Sequence, residues 1–199
     1  PTPVEPIPVE SAPVEPAPAD PNGNKVLNGG DGDDVLTGGN GNDLINGNRG
    51  NDYLSGGAGN DTIGGGTGDD TLVAGPGHDV LTGGTGKDVL LFTKDNLGEG
   101  PTLTTVIGGD SGDRIDLTDF GLHLVKGDSF TGTSGELLVK KNGSITTLLG
   151  DINGDGAADI EIKVIHASGD VLDMLVLSDE ETPPPSTEDP VAVDPAPVN

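Results

Sequence analysis

From Leu36 to Leu90 one aliphatic side chain returns at every ninth residue, and the polar residues between keep the same register. In rows of nine from Gly29 the chain reads GGDGDDVLT, GGNGNDLIN, GNRGNDYLS, GGAGNDTIG, GGTGDDTLV, AGPGHDVLT and GGTGKDVLL. Position 8 is always Leu or Ile: Leu36, Ile45, Leu54, Ile63, Leu72, Leu81 and Leu90. Each row therefore predicts a three-residue strand whose middle side chain points inward while its neighbours point out. The remaining six positions predict a tight turn, because glycine permits positive φ and close backbone approach. Position 4 is Gly in every row (Gly32, Gly41, Gly50, Gly59, Gly68, Gly77, Gly86), and position 6 is Asp in every row (Asp34, Asp43, Asp52, Asp61, Asp70, Asp79, Asp88). Residues 20–28, DPNGNKVLN, form a degenerate leading row that keeps Gly23 and Leu27 but has Lys25 in place of the Asp. Two rows make one coil of a solenoid, which stacks each turn on the turn two rows later.

Past the rows the pattern changes to strand-type alternation over residues 92–178. In DIEIKVI, Ile160, Ile162 and Val164 share one face. Residues 136–149, ELLVKKNGSITTLL, predict a hairpin turning on Asn142-Gly143. The expected organisation is a Pro/Glu-rich linker over 1–20, a roll over 21–92, a β-rich cap over 93–178 and an acidic Pro-rich tail over 179–199. A cap has a physical purpose, since the last coil of a solenoid must be covered. The proline density of both ends favours extended polyproline II, and their acids keep them solvated.

Charge gives the rows a chemistry. The formal net charge is −25, from 34 acids against 9 bases. Such an excess repels nucleic acid and anionic membrane surfaces as direct partners. Ten of the acids lie in the rows (Asp31, Asp33, Asp34, Asp43, Asp52, Asp61, Asp69, Asp70, Asp79, Asp88), most at fixed offsets. Solvated charge needs no period, so the period points to cations. Asp supplies a hard anionic oxygen and the turn supplies carbonyls, a donor set that suits calcium with its 6–8 oxygen ligands. Stacking rows two apart pairs Asp34/Asp52, Asp43/Asp61, Asp52/Asp70, Asp61/Asp79 and Asp70/Asp88, hence about five sites. The position-4 glycines Gly32, Gly41, Gly50, Gly59 and Gly68 are expected at these sites with the carboxylates. Without a cation, facing carboxylates repel by a few kcal/mol per pair at intermediate dielectric. Short strands with one aliphatic each cannot offset that and the entropy of ordering so much glycine. The expectation is a roll that folds only when calcium binds. There is no cysteine, so disulfides and thiolate metal sites are excluded. No run of 18 apolar residues exists, hence no membrane span is expected, and no basic-then-apolar segment marks a signal peptide.

These rows resemble the RTX nonapeptide repeat. The resemblance covers residues 29–91 and implies an all-β parallel β-roll that binds calcium, export through a type I secretion system, and folding outside the cell. GGDSGDRIDLTDF (108–120), FTGTSGELLV and GDINGDGAADIEI look like the C-terminal region of serralysin-type metalloproteases, a resemblance spanning most of 105–165. That family's H-E-x-x-H zinc motif is absent: none of His78, His123 and His166 has a neighbouring Glu or a second His four residues away. Protease activity therefore does not carry over, and no catalytic residue is expected. His78 takes the place of the usual Asn or Asp at position 5 and is expected to weaken the neighbouring site. Asp151-Ile-Asn153-Gly-Asp155-Gly156-Ala-Ala-Asp159 reads either as a calcium loop or as an Asx-rich turn. It is no EF-hand, because Ile162 stands where the bidentate Glu would be. Asp110, Asp113 and Asp116 are candidates to close a last site at the end of the roll.

The leading functional reading is a calcium-triggered folding and stability module of a larger secreted bacterial protein, with the secretion machinery as partner through that parent. The alternative is an accessory module that engages an anionic polysaccharide such as alginate. Against it stand the charge, the scarcity of outward bases (Arg49 and Lys87) and of stacking aromatics, Tyr53 being the only one on the roll.

Overall fold

The computed structural model describes residues 23–94, 102–109, 112–166 and 171–177; the Pro-rich ends and Asp110 lie outside these. In chain order the strands are β1 (Val26–Asn28), β2 (Val35–Asn40), β3 (Leu44–Arg49), β4 (Tyr53–Ala58), β5 (Thr62–Thr67), β6 (Thr71–Val73), β7 (His78–Thr85), β8 (Val89–Leu91), β9 (Thr102–Ile107), β10 (Arg114–Asp116), β11 (His123–Leu124), β12 (Glu136–Asn142), β13 (Ile145–Asp151), β14 (Ile160–Ile165) and β15 (Leu175–Val176). They form two sheets, one ordered β1-β3-β5-β7-β9-β14-β13-β12-β11 and the other β15-β10-β8-β6-β4-β2. Successive rows thus alternate between sheets, and all pairs within the rows are parallel: a parallel β-roll.

The register places position 8 on position 8 two rows later. Leu27 pairs with Ile45, Ile45 with Ile63 and Ile63 with Leu81; in the other sheet Leu36 pairs with Leu54, Leu54 with Leu72 and Leu72 with Leu90. From Ile45 to Leu90 these side chains are at most 1% exposed and form two facing aliphatic stacks. Leu27 and Leu36 are only half-buried, because nothing among the described residues covers the first coil.

Four of the repeat strands run to six residues rather than the expected three, since pairing continues through the glycines of the next row, as in Gly39↔Gly57 and Asn40↔Ala58. Inward alternation then reaches position 1, where Gly38 is buried. From the second row on, position 2 takes positive φ, for example 108° at Gly39 and 95° at Gly57; where Asn48 replaces the glycine it keeps φ at 78°, which asparagine tolerates better than most residues.

Both sheets continue past residue 92. Leu81 pairs with Val106 and Leu90 with Ile115, each 25 residues on instead of 18, because seven extra residues precede β9. These two strands add a further coil without the repeat pattern. The first sheet then adds β14 in parallel with β9, followed by the antiparallel β13 and β12. Ile160, Ile162 and Val164 face inward and join Leu137, Leu148, Phe92, Phe120 and Leu122 in the core that is continuous with the roll. The hairpin turns on Gly143-Ser144, one residue later than expected, with Asn142 still paired to Ile145. Gly143 has φ 61° and Ser144 does not have positive φ, the pattern of a turn needing glycine at its first central position.

Candidate metal centre

The turns stack along two edges of the roll, and each edge carries a column of position-6 carboxylates. Along one edge the Asp34 N–H donates to Asp52 Oδ1, Asp52 to Asp70, Asp70 to Asp88 and Asp88 to Asp113, at 2.8–2.9 Å. Along the other, Lys25 N donates to Asp43 Oδ1 at 2.6 Å, Asp43 to Asp61 at 2.8 Å and Asp61 to Asp79 at 2.9 Å. The five pairings expected from the spacing are thus all direct contacts. Asp113 extends its column into the coil beyond the repeats, whereas on the other edge Thr104 stands opposite Asp79.

From Asp43 to Asp88, one oxygen of each repeat carboxylate is used in these bonds. The other has no partner: Oδ2 of Asp43, Asp52, Asp61, Asp70, Asp79 and Asp88 is buried without a hydrogen bond. A buried anionic oxygen in that condition is costly unless a cation meets it. Position 1 shows where. A Cβ added to Gly29, Gly38, Gly47, Gly56 or Gly65 would fall within 3.0 Å of both the row's own Asp Oδ2 and a position-1 carbonyl two rows on. Those carbonyls belong to Gly47, Gly56, Gly65, Ala74 and Gly83 respectively. Five places therefore gather a carboxylate oxygen and a carbonyl oxygen around space that only glycine leaves open. Among the described residues no three His, Cys, Asp or Glu side chains gather as a metal cluster. A cation here would be held by one or two carboxylates with backbone carbonyls, a hard oxygen set that fits calcium.

Electrostatics agree with this reading. Burial pushes Asp79 and Asp88 up to about 6, against the N–H bonds from Asp61 and Asp70 and with the help of neighbouring carboxylates. Asp61 and Asp70 are raised by the same causes, burial foremost. Desolvation and like charge oppose ionisation, and a divalent cation would reverse both.

The position-4 glycines play a different part in the geometry. The carbonyls of Gly32, Gly41, Gly50 and Gly59 face the position-4 glycines two rows on, and Gly41, Gly50, Gly59 and Gly68 donate N–H bonds to position-3 carbonyls. They allow coils to approach; position 1 also sets carbonyls beside Asp Oδ2, which the spacing alone did not single out. A second polar ladder also went unread. Position-5 side chains Asn24, Asp33, Asn42, Asn51, Asn60 and Asp69 each accept the N–H of the position-5 residue two rows later at 2.6–2.9 Å. The signal was present, because position 5 is Asn or Asp until its last two rows. His78 and Lys87 stand there and end the two ladders, donating N–H to Asn60 and Asp69.

In the cap loop Asp151, Asn153, Asp155 and Asp159 do come together, but around the loop's own donors. Asp151 accepts from Gly154 N (2.6 Å) and Gly156 N (2.8 Å), and Asp159 Oδ2 accepts from Ile152 N (2.7 Å). Asp159 Oδ1 accepts from Asn153 Nδ2 at 3.0 Å, and Asp155 Oδ1 from Ala157 N at 2.8 Å. No buried oxygen without a partner remains there, in contrast to the roll. Of the histidines, His78 is exposed, His123 lies in β11, and His166 meets Thr146 Oγ1 at 3.2 Å. Arg49, an outward base of the roll, lies 3.7 Å from Asp31. No helix among the described residues is long and apolar enough to cross a membrane.

Comparison with known proteins places the same residues in a family. The model described as the RTX calcium-binding nonapeptide repeat (4 copies) matches twice, over residues 26–63 and 64–96. That match ends before the region resembling serralysin-type proteins, so the second resemblance gains nothing from it. No curated protein matches the chain. Two similar solved structures are solution structures of the AlgE6R3 and AlgE6R2 subunits from the Azotobacter vinelandii mannuronan C5-epimerase. The first is 25% identical, with 86% of this chain and 92% of that one covered and a TM-score of 0.27. The second is 22% identical, covers 77% and 93%, and has a TM-score of 0.31. Superpositions that loose leave the fold resting on the strand pairing above.

Proposed function

Residues 26–96 are RTX calcium-binding nonapeptide repeats, and from that premise we propose that the chain is a calcium-gated folding module of a larger secreted protein. Calcium fills about five rungs along the two edges of the roll, between rows whose Asp side chains are already in register. The observation that carries this reading is the set of buried Oδ2 atoms without hydrogen-bond partners, from Asp43 to Asp88. Each would be a destabilising charge in an ion-free roll and a ligand in a loaded one. Binding energy then acts as folding energy, which keeps the chain unfolded where calcium is scarce and folds it where calcium is abundant. Such a switch suits export through a type I secretion system followed by folding outside the cell. The proposal is built on the roll, where the buried oxygens without partners lie. No observation on the roll favours the polysaccharide reading over this one.

Equilibrium dialysis at neutral pH tests the assignment. We expect about five calcium ions per chain, and little magnesium at the same concentration, since magnesium demands a smaller octahedral shell and sheds water reluctantly. Two ions or fewer, or equal uptake of magnesium, would contradict the ladder of sites.

A further inference from the structure

We propose that Lys25 is a built-in cation, whose ammonium occupies the first rung of one edge in place of a carboxylate and its calcium. The inference rests on the calcium reading of the other rungs. Lys25 stands at position 6 of the degenerate row, and its backbone behaves as an Asp of the column does: its N–H donates to Asp43 Oδ1, as Asp43 N–H does to Asp61 and Asp61 N–H to Asp79. The rest of that row is also intact. Asn24 Oδ1 accepts Asn42 N at position 5, and β1 pairs with β3 through Leu27 and Ile45.

What differs is the side chain. On the next two rungs of this edge, the position-1 carbonyls of Gly56 and Ala74 converge with Asp43 Oδ2 and Asp61 Oδ2 on the open space at Gly38 and Gly56. One rung earlier the corresponding carbonyl is that of Gly38, and Lys25 Nζ donates to it. The Lys25 ammonium also lies 3.2 Å from the point a Cβ on Gly39 would occupy. A positive charge therefore contacts the very carbonyl that elsewhere faces a carboxylate and the proposed calcium. The other edge has no such device: its first member, Asp34, turns Oδ2 to Gly30 N at 2.6 Å. One edge thus begins with a coil that closes without an ion and offers calcium a ready template for the rungs that follow.

Two substitutions in the full chain test this, read by equilibrium dialysis for bound calcium and by far-UV circular dichroism for the calcium midpoint. Lys25→Asp is expected to bind one ion more than the wild type. Lys25→Met is expected to keep the wild-type number but to need about fivefold more calcium at the midpoint, since the Gly38 carbonyl loses its charged donor. Lys25→Asp with the wild-type number of ions and the wild-type spectrum at saturation would overturn the proposal. So would Lys25→Met titrating as the wild type does, and that variant decides the matter if Lys25→Asp does not reach the folded spectrum. A wild-type chain that binds no calcium would overturn the underlying reading, and this proposal with it.

Discussion

Asp61→Ala is expected to remove two bound calcium ions, leaving about three of five, and to raise the calcium midpoint by at least about tenfold. Asp61 lies in the middle of its column and belongs to two rungs. Its Oδ1 accepts the Asp43 N–H at 2.8 Å, while its own N–H reaches Asp79 Oδ1 at 2.9 Å. Its Oδ2 has no partner and sits with the Ala74 carbonyl over Gly56. Alanine would strip ligands from both rungs and leave the Asp43 N–H without an acceptor in a site where Asp43 itself is 3% exposed. The comparison that isolates the effect is Asp33→Ala. Asp33 is also an acid of the repeat, and its Oδ1 accepts Asn51 N at 2.7 Å, but in an exposed position where water can replace it. That variant should keep the full number of ions and lose about 1 kcal/mol or less. Calorimetric titration of the two side by side reads both numbers. Loss of a single ion from Asp61→Ala would mean that each carboxylate serves one rung.

Acid should act in opposite directions with and without calcium. Asp79 and Asp88 are held up to about 6 by burial in the ion-free fold, well above the ordinary 3.8 that an unfolded chain would show. Their neutral forms therefore favour the fold: that contribution is complete below the unfolded value and lost as pH rises through about 6. In chelator, lowering the pH from neutral through this window should raise β content. Asp61 and Asp70 are shifted in the same direction and add to the trend. In the presence of calcium, protons compete for the same oxygens, so the calcium midpoint should climb as the pH falls through about 6. Circular dichroism at a series of pH values, each with and without calcium, separates the two trends. A calcium midpoint unchanged between neutral pH and pH 5 would contradict proton–calcium competition at these carboxylates.

Strict periodicity made much of the roll legible from sequence. One aliphatic and one Asp per nine residues determined both the inward stack and the column of carboxylates, because a register slip would turn Leu54 or Ile63 out of the core. What stayed hidden were features without a side chain to announce them. Position-1 glycines read as turn residues, yet they continue the strands and hold open the space beside Asp Oδ2. The further coil at β9 and β10 was concealed by seven inserted residues and by Thr104 in the place of an Asp, although Val106 and Ile115 occupy the stack as the repeat aliphatics do. The cap loop shows the converse limit. Asp151, Asn153, Asp155 and Asp159 have the composition of a calcium loop, but composition does not say whether amides or an ion will meet the carboxylates. Nor does it announce the bonds to Gly154, Gly156 and Ile152 that shape the loop.

The most direct test is a calcium titration of the exhaustively chelated chain at neutral pH, followed by far-UV circular dichroism with magnesium as the control. If buried, unpartnered carboxylates keep the ion-free roll from forming, the spectrum should begin with little β signal and turn cooperatively to β with calcium alone. A full β spectrum in chelator, unchanged by calcium, would show that the roll tolerates these charges without an ion and would contradict calcium-gated folding.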